Sequence, residues 1–78
     1  MTYTGTGFAK ARIADYRERV MIDGKRRDLR CIRGPLDDAR SLMETTLSAN
    51  PGAVLRYEQV NHGLQEAYYE IVMPLEVA

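Results

Sequence analysis

Seventy-eight residues make one small domain with no room for a second, and a chain of this size buries only about 60% of the surface that its unfolded form exposes. Eleven basic residues balance eleven acidic ones unevenly: residues 1–33 hold nine Lys/Arg against four acids, a net of +5, and residues 34–78 hold two against seven, a net of −5. One cysteine rules out an internal disulfide, one cysteine and one histidine fall short of a zinc ligand set, and no apolar run approaches the ~20 residues that span a bilayer.

Residues 1–7, MTYTGTG, are polar and turn-prone, and they lack the basic and apolar regions of a signal peptide. A reducing, cytoplasmic setting is therefore expected. With nothing to staple so small a core, docking on a partner is expected too, with a homodimer as an alternative. The next segment, residues 8–16, reads in two ways. As a strand it alternates Ala9, Ala11 and Ile13 with Lys10 and Arg12; as a helix it aligns Ala9, Ile13, Tyr16 and Val20.

The strongest local signal is Asp23-Gly24 between two runs of mixed apolar and basic residues, Tyr16–Ile22 and Lys25–Arg33. A two-residue type I′ turn needs positive φ at both central positions, which Asp-Gly supplies. The turn predicts the pairs Ile22/Lys25, Val20/Arg27, Glu18/Leu29 and Tyr16/Cys31. One face then holds Tyr16, Val20, Ile22, Leu29 and Cys31, and this apolar face is expected to pack on a helix. The other holds Arg17, Arg19, Arg26, Arg30 and Ile32, a cationic outer face.

Pro35 suits the first turn of a helix, and Asp37-Asp38 complement its dipole. Leu36, Ala39, Leu42, Met43, Thr46 and Leu47 fall on one stripe, with Arg40, Ser41, Glu44 and Thr45 opposite. Asn50-Pro51-Gly52 stops the helix, which gives it residues 35–48. A second hairpin follows over residues 53–74. Its first strand puts Ala53, Leu55 and Tyr57 toward the helix, with an irregularity expected at Gln59-Val60, and Asn61-His62-Gly63 makes the turn. Its second strand sets Ala67, Tyr69, Ile71 and Met73 on one face and Glu66, Tyr68, Glu70 and Val72 on the other. The fold class expected is α+β: an antiparallel sheet of four to five strands with one helix on one face, β-β-β-α-β-β, or α-β-β-α-β-β if residues 8–16 are helical.

Enzymatic residues are hard to find. Cys31 falls on an apolar strand face, where cysteine behaves as a small hydrophobe, and His62 lies in a turn. Asp37-Asp38 are explained by the helix dipole alone. No catalytic, cofactor or metal site is expected. Candidate partner-binding residues are Arg17, Arg19, Arg26 and Arg30, because the planar guanidinium fork suits phosphate or carboxylate, and Tyr68 with Glu66 and Glu70, an exposed aromatic between charges. The alternative for the arginines is pairing with Glu58, Glu66 and Glu70 of the second hairpin.

Two resemblances follow from these residues. Arg12 to Leu47 resembles the amino-terminal arm-binding domains of tyrosine recombinases, through the Asp23-Gly24-Lys25-Arg26 hairpin and a following helix with Asp38-Ala39 where that family has a Glu/Asp-Ala pair. The resemblance implies an outer sheet face that enters the DNA major groove, with Arg17, Arg19, Arg26 and Arg30 as contacts. The whole chain, in its size, its order of elements and its lack of enzymatic residues, is similar to small phage-encoded anti-CRISPR proteins. That likeness implies a mobile-element inhibitor that binds a nucleic-acid-handling protein complex of the host and blocks its target binding. Direct nucleic-acid binding is the competing expectation, and no membrane partner is expected.

Overall fold

Asp23 and Gly24 have φ of +52° and +78°, the type I′ geometry that their sequence predicts. They join β1 (Ala14–Ile22) to β2 (Lys25–Pro35), and every predicted pair forms, from Ile22/Lys25 to Tyr16/Cys31. This is a computed structural model that describes residues 13–75. Beyond the hairpin come α1 (Leu36–Ala49), β3 (Val54–Asn61) and β4 (Glu66–Val72). The described strands make one antiparallel sheet in the order β1-β2-β4-β3, so the architecture is α+β with the element order β-β-α-β-β. The reading of residues 8–16 falls outside the described residues as far as residue 12; Ala14–Tyr16 simply begin β1. No helix among the described residues is long and apolar enough to cross a membrane.

The helix takes the place that its sequence predicts, shifted by one residue: Pro35 closes β2 and stands at the N-cap position. No side chain caps this end. Instead the N–H of Leu36 donates to the carbonyl of Gln65 at 2.8 Å, which satisfies one of the free donors of a helix start and ties the β3–β4 turn to the helix. That turn spans residues 62–65, and Gln65 adopts φ +55° within it. At the other end Asn50 Nδ2 donates to the Thr46 carbonyl at 2.8 Å, and Gly52 reverses the chain at φ +96°.

The face that carries the helix is the reverse of the one expected from the first hairpin. Leu36, Ala39 and Met43 pack on Ile32, Ala67, Tyr69, Ile71 and Met73, so the helix covers the side of β2 that also bears Arg26 and Arg30. The predicted alternation of β4 holds, and it decides the matter. β4 is central in the sheet, and its Ala67, Tyr69 and Ile71 outweigh the two apolar residues that β2 offers on the other side. Ile32, Tyr69 and Ile71 are fully buried, and the two isoleucines are worth roughly 1.5–3 kcal/mol each as apolar side chains removed from water. Leu29 and Cys31 instead join Val72, with Val20, Ile22 and Tyr68, in a smaller cluster on the side turned away from α1.

Gly34 permits a close approach on the helix side. A Cβ there would stand 3.0 Å from Ile13 Cγ1 and 3.2 Å from Ile13 Cα.

A second correction concerns β3. Its register shifts between Leu55 and Tyr57, with Arg56 as the extra residue, earlier than the expected irregularity at Gln59-Val60. A bulge reverses the facing of every residue beyond it. Leu55 and Val60 therefore pack on the main core, and Tyr57, expected to face the helix, points to the opposite side and is 46% exposed.

Candidate interaction surfaces

The arginine row lies on the helix side of the sheet, because odd residues of β1 and even residues of β2 share a face in the observed register. Arg17 stands opposite Arg30, Arg19 opposite Asp28, and Met21 opposite Arg26. The helix lies chiefly over β4 and β2, so β1 forms a ledge beside it.

Arg30 sits where that ledge meets the helix. Its Nε and Nη2 donate to the two oxygens of Asp15 at 2.9 and 2.7 Å, and its Nη1 donates to Thr46 Oγ1 at 2.8 Å. Thr46 Oγ in turn donates to the Leu42 carbonyl at 2.7 Å. This bidentate hydrogen bonding holds the Asp15 carboxyl below its ordinary range and the Arg30 guanidinium above its own. All three donor positions of Arg30 that face protein are occupied within the chain, so its role is to fasten β1 to the helix.

Arg17 and Arg19 behave differently. Both approach the single carboxylate of Asp28, at 4.0 and 3.5 Å, and their side chains remain 56% and 68% exposed. Exposed pairs of this length contribute about 0–1 kcal/mol each. Arg26 makes no ion pair among the described residues. The alternative expected from sequence, that these arginines pair with Glu58, Glu66 and Glu70, is overturned. Arg17, Arg19 and Arg30 pair with Asp28 and Asp15 of the same hairpin instead, because the second hairpin never borders β1 and Glu66 and Glu70 lie on the opposite face of the sheet.

The face of the sheet turned away from α1 carries the other candidates. Tyr68 lies there, half-buried, with its hydroxyl donating to Glu70 Oε2 at 2.6 Å. Burial first, and that hydrogen bond second, raise the Tyr68 hydroxyl far above the ordinary tyrosine range. The Arg33 guanidinium sits over the Tyr68 ring at 4.9 Å, and the Tyr57 ring lies on its other flank with centroids 6.0 Å apart at 60°. Cation–π and tilted aromatic contacts of this kind are worth roughly 0.5–1.5 kcal/mol each. Glu70 also approaches Arg56 Nε at 4.0 Å. Beside this stack, Arg33, Gln59, Asn61 and Glu66 line a shallow depression of about 250 Å³.

The seven sequence candidates therefore divide between two surfaces: Arg17, Arg19, Arg26 and Arg30 on the helix side, and Tyr68, Glu66 and Glu70 on the other. Arg33 and Tyr57 belong to the second surface and were not legible as such. Arg33 is brought to Tyr68 only by the β2–β4 register, and Tyr57 only by the bulge at Arg56. Cys31 is fully buried, its Sγ 3.9 Å from Glu18 Oε1, and His62 is exposed in the turn. No group of three or more His, Cys, Asp or Glu side chains among the described residues is arranged to hold a metal ion.

Comparison with protein-family models, with curated proteins and with solved structures finds no match.

Proposed function

We propose that this chain is a small non-enzymatic binding protein, an inhibitor of the phage or mobile-element type, which docks on a nucleic-acid-handling protein complex and blocks its target binding. The observation that carries this reading is the sheet face turned away from α1, where the Arg33–Tyr68–Tyr57 cluster is flanked by Glu66 and Glu70. Tyrosine and arginine held in fixed orientation are the residues most often responsible for binding energy at protein interfaces, because little side-chain freedom remains to be lost. Glutamates beside them suit a basic surface of the kind that handles nucleic acid. The hairpin–helix–hairpin order supports the reading on layout.

The test is capture of a host complex on immobilised protein, comparing wild type with Tyr57→Ala and Glu66→Lys. Wild type retains a complex whose binding to its nucleic acid is suppressed in proportion to the protein added, and each variant weakens retention by about tenfold or more. A captured complex that still binds its nucleic acid with unchanged affinity overturns the reading, as does equal retention by both variants.

Exposure of Arg17, Arg19 and Arg26 favours a second reading, direct DNA binding along the arginine row. Arg30 contributes less to it, since three of its five N–H groups are engaged within the chain. It predicts a mobility shift that weakens with salt at a log–log slope of roughly 0.9 per phosphate neutralised. No shift at low ionic strength dismisses it.

A further inference from the structure

We propose that the outer edge of β1, which no described strand borders, binds an extended acidic polypeptide segment by strand addition, on a surface separate from the tyrosine face. β1 borders β2 on one side and no described strand on the other. Its nine residues pair in unbroken register, whereas the opposite edge strand, β3, is interrupted by its bulge. In a two-residue hairpin the pair next to the turn exchanges both hydrogen bonds, and bonding alternates from there. Ile22, Val20, Glu18 and Tyr16 therefore spend their N–H and C=O groups on β2. Those of Asp15, Arg17, Arg19 and Met21 point outward.

The residues whose backbone faces outward are those whose side chains form the arginine row. A strand laid along this edge puts alternate side chains on that same face, directly opposite Arg17 and Arg19, with Cβ atoms about 4.5–5.5 Å away. Arg17 and Arg19 share only Asp28, and Arg26 is unpaired among the described residues, so three guanidiniums meet one carboxylate there; Asp15 is committed to Arg30. Carboxylates at alternate positions of the added strand balance that excess. A second copy of β1 is the poorer occupant, because antiparallel pairing centred on Arg17, on Arg19 or between them sets arginine against arginine. Single-stranded nucleic acid matches the charge but leaves the row of amides and carbonyls unanswered.

The experiment is amide hydrogen exchange on the whole chain, with and without a blocked peptide of about eight residues alternating glutamate and threonine. In the free chain the amides of Asp15, Arg17, Arg19 and Met21 exchange fast while those of Tyr16, Glu18, Val20 and Ile22 are protected. The peptide slows the odd set by about tenfold or more and leaves the even set unchanged. Arg17→Glu with Arg19→Glu abolishes the effect, and Tyr57→Ala leaves it intact, which separates failure here from failure of the inhibitor reading. The proposal is overturned if the odd amides are already protected in the free chain, if the same peptide with lysine for glutamate works equally well, or if an oligothymidylate binds the row and the peptide does not.

Discussion

Replacing Arg30 tests whether the fastening between β1 and the helix is a coupled unit. Arg30→Met keeps most of the aliphatic stem and removes three charge-assisted hydrogen bonds, of 2.9, 2.7 and 2.8 Å. Such bonds are worth about 1.5–3 kcal/mol each when fully buried. Here the Arg30 and Asp15 side chains are 21% and 35% exposed, so water recovers much of that, and we expect a total loss of about 2 kcal/mol. About 1 kcal/mol of it is coupling to Asp15, the upper end for a partly exposed bidentate pair. For a domain of this size the total corresponds to a fall in Tm of roughly 8–16 °C. The measurement is a double-mutant cycle of Arg30→Met and Asp15→Asn by urea denaturation. It has a pH signature as well. The Asp15 carboxyl titrates below its ordinary value of 3.8 in the folded chain. The stability it adds is therefore complete above that value and is lost as pH falls through the lowered one. The gap between wild type and Asp15→Asn should be full at pH 6 and should close in acid, below the ordinary value of 3.8. A coupling energy indistinguishable from zero, or a gap that persists unchanged in acid, refutes the account.

Three further substitutions follow from the core and the turns. Tyr69 is fully buried and its hydroxyl has no hydrogen-bond partner among the described residues; Tyr69→Phe removes an unpaired polar group and should leave stability unchanged or raise it by up to about 1 kcal/mol. A loss above that size, by urea denaturation, would show that the hydroxyl is satisfied. Gly34→Ala forces a methyl against Ile13 and should cost about 1–3 kcal/mol as overpacking, with partial recovery when combined with Ile13→Ala; no recovery would place the strain elsewhere. Gly24→Ala meets no atom within 4 Å but holds φ +78°, so its cost is the left-handed backbone alone, roughly 1–2 kcal/mol, and Ile13→Ala should not change it.

What the sequence made legible was local, and what it concealed depended on neighbours distant in the chain. The Asp23-Gly24 turn fixed the register of β1 on β2 because a two-residue loop with positive φ leaves a single in-phase pairing. The stripe of α1 and the alternation of β4 were equally readable, since each depends on one element's own period. The side on which the helix lies was not readable from the first hairpin. Both faces of β2 offer apolar residues, Leu29 and Cys31 on one and Ile32 on the other, and only the central position of β4, with Ala67, Tyr69 and Ile71 in phase with Ile32, breaks the tie. That single reversal changes what the arginines mean. On a bare outer face Arg30 would be a contact residue; beneath the edge of the helix it finds Thr46 and Asp15 and becomes a fastener. Arg17, Arg19 and Arg26, farther out on the ledge, keep their exposure. The candidate site divided for the same reason: Glu66, Tyr68 and Glu70 were read correctly as one face of β4, yet β4 has a helix on its other side, so they cannot share a surface with the arginines. Among the described residues the two faces of the sheet therefore differ in chemistry, aromatic and acidic on the side away from α1, cationic along the rim that β1 forms on the other.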